Sequence, residues 1–257
     1  MIGVVVPSRT DEYLEGLLRS LDLPEPSRSW QCVVADNGLS AEFRERWQAR
    51  LGPWSCRFTQ TPPPFCFSAA VNKAVALLSD GVDILILNDD ATMVSDLWYM
   101  RALRLLRDPE CARYGLISLA IDGGVGNPEQ KHVPWSSDAP AVTETAKTLC
   151  FIAVLVRRAA WNTVGPLDER FVSYGFDDDD YCRRMRLAGW LCGVTQRIVV
   201  AHGHNAAGHS SSYMRYHGQR GMDAMFHDNQ RRYIEKWGGP PGYERAGAPI
   251  AHEDQEK

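Results

Sequence analysis

The feature that most constrains this chain is the run Val82-Asp83-Ile84-Leu85-Ile86-Leu87, which passes directly into Asn88-Asp89-Asp90. A near-continuous apolar run of this length reads as a strand buried on both faces, as in the interior of a parallel sheet. Its first polar residues emerge where the strand ends, and open α/β sheets place their ligands at strand C-termini. Adjacent carboxylates repel each other, so oxygen donors grouped there suit a divalent cation such as Mg²⁺ or Mn²⁺. Read alone, the same triplet also fits a solvated turn that caps the following helix.

The rest of the first half alternates apolar runs with helical periodicity, which predicts βαβ units. Strands are expected at Gly3 to Pro7, Gln31 to Ala35 and Cys56 to Gln60. A helix begins at Thr10 or Asp11 with Leu14, Leu17, Leu18 and Leu21 on one face, and a second is capped by Ser68 and closed by Gly81. Another helix is expected from Ser95 through Arg107. Further on, strands are predicted at Tyr114 to Ile121, Leu149 to Val156 and Arg197 to Ala201, with helices over 177–189 and from Ser212 to Trp237. Residues 122–147 read as a long loop, and loops of that length in compact domains tend to be functional.

With 257 residues, 44% of them hydrophobic, the chain can bury one substantial core. A net charge of −4 argues against a protein held mainly by nucleic-acid phosphates, although a local basic patch stays open. No window offers the roughly 18 apolar residues a membrane span needs. The N-terminal residues read as a strand rather than a signal peptide. The seven cysteines are scattered and form no CxxC pair, the pattern of buried thiols in a reducing, cytoplasmic setting. There is no GxGxxG, Gly-x-Ser-x-Gly or His-Glu-x-x-His motif.

Two more clusters carry chemistry. Gly175-Phe176 leads into Asp177, Asp178, Asp179 and Asp180, four acids in the first turn of a helix. The helix dipole favours them there, and Asp179–Arg183 and Asp180–Arg184 are i, i+4 pairs. Asp177 and Asp178 have no such downstream partner, which leaves them open to work as a general base or acceptor ligand. His202-Gly203-His204 follows a strand and could supply an imidazole to a metal or phosphate, or could be surface histidines in a Gly/Ser loop.

Taken in order, these segments resemble the GT-A-fold nucleotide-sugar glycosyltransferases, closest to the family 2 group, over roughly residues 3 to 238. The matching stretches are Val4-Val5-Val6-Pro7-Ser8-Arg9, Val33-Val34-Ala35-Asp36-Asn37-Gly38-Leu39-Ser40, Phe65-Cys66-Phe67-Ser68-Ala69-Ala70-Val71-Asn72-Lys73-Ala74 and Leu85-Ile86-Leu87-Asn88-Asp89-Asp90. Gly165-Pro166-Leu167-Asp168-Glu169-Arg170-Phe171, the Asp177–Arg183 block, Val199 to His204 and Arg231 to Gly238 complete the series. The resemblance implies an α/β, Rossmann-like, mostly parallel central sheet flanked by helices. It implies a single domain over 1–238, with a nucleotide half (1–94), an acceptor half (95–211), a helical extension (212–238) and a polar tail (239–257).

It further implies donor binding by Pro7, Ser8, Arg9, Asp36, Asn72, Lys73, Asn88 and Asp89, and a divalent cation (Mn²⁺ or Mg²⁺) on Asp90 with His202 or His204. Asn88 stands where the family's DxD-type motif has its first acid. Asp178, with Asp177 beside it, would be the base in an inverting displacement that moves a sugar from a nucleoside-diphosphate sugar to an acceptor hydroxyl. The loops 61–66 and 122–147 would flank the cleft, with Trp135 as a sugar-stacking platform. A non-catalytic nucleotide-sugar sensor is an alternative, favoured by Asn88. A sugar-phosphate nucleotidyltransferase is disfavoured because Val6-Pro7-Ser8-Arg9-Thr10 contains no glycine.

Overall fold

In a computed structural model of the protein, residues 1–21, 30–49, 56–172, 175–203 and 212–241 are described, with side chains omitted at 212–217 and 219. His204 therefore lies outside the described residues, as does the tail from 242.

The elements run β1 (Ile2–Ser8), α1 (Asp11–Leu21), β2 (Trp30–Asp36), α2 (Ala41–Gln48), β3 (Cys56–Gln60), α3 (Phe67–Val75) and β4 (Asp83–Leu87). Then come β5 (Ala91–Met93), α4 (Trp98–Arg107), β6 (Tyr114–Gly123), β7 (Thr143–Glu144), β8 (Ala153–Val156), α5 (Arg158–Val164), α6 (Asp177–Leu187), β9 (Leu191–His202) and α7 (Ser212–Trp237). Among the described residues nine strands join one sheet, in the order β3-β2-β1-β4-β8-β6-β9-β5, with β7 also paired to β9.

The four N-terminal strands are parallel, as the apolar runs predict. The other half is mixed. β8 runs antiparallel to both neighbours, and β5 and β7 run antiparallel to β9, while β6 and β9 are parallel. Parallel pairing in the mostly parallel sheet expected from the sequence is thus concentrated on the side that carries β1 and β4.

Strand alternation sends side chains into two separate apolar layers. Val4 and Val6 of β1 and Leu85 and Leu87 of β4 pack with Leu14, Leu17, Leu18 and Leu21 of α1 on one face. Val5, Ile84 and Ile86 face the other way, against Ala70, Val71 and Ala74 of α3 and Tyr181 and Met185 of α6. A one-residue slip of β4 would swap both sets, so its register and its exit point are fixed together. Gly3 belongs to this packing, because a Cβ there would lie 2.5 Å from the Leu78 side chain.

Several boundaries differ from the sequence expectation for local reasons. α3 starts at Phe67 behind Cys66, with Ser68 buried inside it rather than capping it, and it ends at Val75, short of Gly81. α4 starts at Trp98, after Leu97 takes a left-handed turn, rather than at Ser95, whose hydroxyl accepts the Val199 N–H. β9 extends back to Leu191, and β8 begins only at Ala153. Residues 122–147 contain a short 3₁₀ turn at Pro128–Gln130 and the strand β7 rather than one continuous loop.

The final helix is broken at Gly218, where φ is 62°, and its C-terminal part docks on α6 through a buried charge cluster. The fully buried Asp180 carboxylate receives Arg184 Nε at 2.9 Å, Lys236 Nζ at 2.7 Å and Trp237 Nε1 at 2.9 Å. The predicted Asp180–Arg184 pair is present, and the Arg183 guanidinium lies over the Trp237 ring at 4.2 Å. Removing one partner of a buried pair leaves the others desolvated, typically costing about 3–5 kcal/mol. Asp180→Ala should therefore lower Tm by roughly 6 °C or more in calorimetry; an unchanged Tm would show that the cluster does not hold α7.

Asp168 also accepts from Lys236 Nζ, at 2.6 Å, and from Arg170 Nη2, at 2.8 Å. Burial works to raise its pKa, but these two cations prevail and hold the carboxyl well below its ordinary value of 3.8. A carboxyl depressed on folding adds stability above its unfolded pKa and loses it as pH falls through the folded one. The Tm gap between the wild type and Asp168→Asn should thus stay constant from pH 8 to about 5 and shrink below roughly pH 4. A gap independent of pH would rule out this coupling.

Candidate active site

A cavity of about 490 Å³ opens where β1 and β4 end, between those ends, the first turn of α6 and the end of β9. Asn88, Asp89 and Asp90 reach it because β4 is buried until Leu87 and turns there: the Asn88 N–H donates to Ile152 O and its carbonyl accepts from Ala91 N. The next three residues form β5, and the antiparallel register Ala91↔His202 places the end of β9 beside Asp90.

The pairing of Asp90 with His202 is informative in its details. His202 Nδ1 lies 2.6 Å from Gly124 O, and since a carbonyl can only accept, Nδ1 carries the proton. In a neutral imidazole that leaves the Nε2 lone pair facing Asp90 Oδ1, 3.5 Å away. Asp90 Oδ1 is itself buried without a hydrogen-bond partner. Two lone pairs turned towards each other need a proton or a cation between them. Burial opposes the imidazolium, but the Asp90 carboxylate and the Gly124 carbonyl raise the His202 pKa above its usual range.

A carboxylate and an imidazole fastened by its other nitrogen fit a divalent cation that draws remaining ligands from phosphate and water. Among the described residues, no three His, Cys, Asp or Glu side chains close a metal site by themselves.

Asp89 points inward, where its Oδ2 accepts from Ser8 Oγ at 2.8 Å and its carboxylate also takes the Arg9 backbone N–H. Burial, and then the Asp90 charge, push its pKa up to about 7 against those hydrogen bonds. Asp89 thereby ties the end of β1 to the end of β4. Pro7, Ser8 and Arg9 form the adjoining wall.

Across the cavity stand Asp177, Asp178 and Asp179. They are presented by a turn in which Gly175 and Phe176 both have left-handed backbones, at φ 86° and 70°. Asp178 Oδ1 accepts the Asp179 N–H, and Asp179 Oδ1 accepts from Thr148 Oγ1 at 2.6 Å. Burial raises the Asp177 pKa to about 7, and burial followed by repulsion from Asp177 and Asp179 lifts Asp178 well above its ordinary value.

Three residues assigned to the donor by the sequence are not in the cavity wall. Asp36 closes its own turn, accepting from Gly38 N, Leu39 N and Arg44 Nη1. Asn72 braces a loop by hydrogen bonds to both the N–H and the carbonyl of Leu167 and to Glu169. Lys73 is exposed and donates to Gln60 O. Trp135 also stands apart, 45% exposed with Arg197 over its ring. The flanking loops contribute Phe65 from one side and Gly124, Val125 and Gly126 from the other. Phe67, Cys150, Phe151, Ile152, Phe176 and Phe226 also line it, and of these Cys150, Phe151, Ile152 and Phe226 are marked by no polar motif in the sequence.

No protein-family model matches the chain. Among curated sequences it is 21% identical over 209 residues to the uncharacterized protein y4gI of Sinorhizobium fredii. That match takes in 74% of this chain but only 23% of the relative, so the chain spans about a quarter of that protein. Among solved structures, GalNAc-T7 with UDP, GalNAc and Mn²⁺ superposes with a TM-score of 0.69 at 12% identity, covering 92% of this chain and 48% of the other. The Pyrobaculum calidifontis mannosyltransferase PcManGT with GDP-Man and Mn²⁺ gives 0.61 at 16% identity, over 84% and 59%. S. aureus TarS 1-349 with UDP-GlcNAc gives 0.57 at 14%, over 84% and 60%. The chain therefore has the GT-A fold of nucleotide-sugar glycosyltransferases.

Proposed function

We propose that the protein is a cation-dependent glycosyltransferase that moves a sugar from a nucleoside-diphosphate sugar to an acceptor hydroxyl. The observation that carries this reading is that the Asp90–His202 pair and Asp178 face one cavity at the strand ends of a GT-A fold. Neighbours of this fold hold UDP, UDP-GlcNAc or GDP-Man, and two of them hold Mn²⁺.

The leaving diphosphate gains negative charge as the anomeric bond breaks, and a bound cation supplies Lewis-acid stabilisation of that charge. Asp90 and His202 would hold it, with Gly124 fixing the imidazole by its other nitrogen. His204 lies outside the described residues, so the second candidate ligand rests on the sequence alone. Ser8 and Arg9 line the donor side, positioned through Asp89. Asp178 would accept the acceptor's proton as the anomeric carbon gains positive character, help worth about 10²–10⁴-fold. Attack from the face opposite the leaving group inverts the anomeric configuration.

Asp178→Asn should cut turnover of the donor at least about 100-fold while nucleoside-diphosphate affinity is retained. Unaltered turnover would reject the base assignment, and binding without turnover in the wild type would favour the sensor reading that Asn88 suggests. In calorimetry, Asp90→Ala should abolish the gain in UDP or GDP affinity that Mn²⁺ gives the wild type. Equal affinities with and without Mn²⁺ in both proteins would dispose of the cation site.

The pH profile supplies another test. A base must be ionised, so turnover should rise with pH along a limb well above the ordinary carboxylate value of 3.8. Removing the like charge in Asp177→Asn favours the Asp178 anion and should move that limb to lower pH. A limb that stays in place, or moves to higher pH, would contradict the coupling.

A further inference from the structure

The turn that presents Asp177 and Asp178 is strained. Left-handed backbone is ordinary for Gly175 but unusual for a bulky residue such as Phe176, and strain of this kind persists only where the surroundings over-determine it. The first turn of α6 has no side-chain cap from Phe176. Restraint comes instead from α7. Asn229 is fully buried, and its Nδ2 donates to both Val172 O and Gly175 O, each at 2.9 Å, so a single amide bridges both ends of the segment entering the turn.

Arg232 Nη1 donates to Asn229 Oδ1 at 2.6 Å and fixes the orientation of that amide. One turn earlier on α7, the Phe226 ring lies 4.8 Å from the Phe176 ring, and a Cβ on Gly175 would come within 3.1 Å of Phe226. Tyr233, one turn later, packs on Phe176 at 5.7 Å.

We infer that Asn229 is a positioning residue: its amide, oriented by Arg232, holds the Gly175–Phe176 turn in the conformation that aims the Asp178 carboxylate into the cavity. This rests on the proposed role of Asp178 as base. A buried amide that spans two carbonyls is not needed merely to dock α7, since the Asp180–Lys236–Trp237 cluster already does so.

The test compares Asn229→Ala, the milder Arg232→Gln, Asp178→Asn and the double variant Asn229→Ala/Asp178→Asn in the full chain. Hydrogen exchange should be at least tenfold faster in Asn229→Ala at the amides of Asp180, Tyr181 and Cys182, and faster by a smaller factor in Arg232→Gln. Protection in β1 and β4 should be unchanged. Turnover, read as release of UDP from UDP-GlcNAc or of GDP from GDP-mannose with Mn²⁺, should fall by about 100-fold in Asn229→Ala. Mn²⁺-dependent affinity for UDP or GDP should stay within twofold. In the Asp178→Asn background, Asn229→Ala should cost nothing further, because a positioning residue acts only through the group it positions.

Unchanged exchange at 180–182 in both single variants would overturn the inference, as would equal loss of protection across β1, β4 and α6 in both. Independent, multiplying losses of turnover in the double variant would overturn it too. Full turnover in Asp178→Asn would instead overturn the base reading, and the exchange result would distinguish that failure from this one.

Discussion

Burial of β4 on both faces is the constraint on which the site depends. A strand whose side chains from Ile84 to Leu87 all enter apolar layers cannot shift by a residue without exposing one layer and crowding polar groups into the other. Its polar continuation must therefore leave the sheet at one place, directly after Leu87. Everything chemically notable about Asn88, Asp89 and Asp90 follows from that exit: Asp89 turns inward to bond the end of β1, Asp90 turns towards β9, and the next three residues pair back onto the sheet.

The acids are placed by opposing physical demands. Asp180 is buried but supplied with an arginine, a lysine and an indole N–H, so its charge is stabilised and serves docking. Asp177 and Asp178, on the same turn, receive no comparable cation among the described residues, and burial with repulsion from neighbouring acids lifts their pKa values. One run of four identical residues thus divides into a structural and a chemically poised part, decided by which way each side chain leaves the helix. Such a division suits a proton acceptor, whose basicity increases as its charged form is destabilised.

Much of this was legible in the sequence because the governing signals are local. The apolar runs located β1 to β4, the leucine spacing located α1, and the acidic run located the start of α6. Four elements escaped. α2 is mostly polar, with Phe43 and Trp47 as its buried residues; β5 and β7 are three and two residues long; and α5 follows β8 without a break in composition. Strand direction was also out of reach in the second half, because connections of those lengths suit either sense.

At the site, the strand-end residues were found because charge at the end of an apolar run is conspicuous. Asp36 and Asn72 carry motif letters, but the Asp36 side chain is taken up by the backbone N–H groups of its own turn, and that of Asn72 by Leu167, which only the folded chain brings near. The phenylalanine walls and the Asn229 clamp could not be read, since each gains its meaning from a neighbour distant in sequence. The most direct measurement of the account is anomalous diffraction at the manganese edge from crystals grown with MnCl₂ and UDP. A manganese peak bonded to Asp90 and His202, in the cavity that Asp178 faces, is the predicted result. A peak elsewhere with UDP bound outside that cavity, or UDP seated there with Asp90 and His202 free of metal, would contradict it.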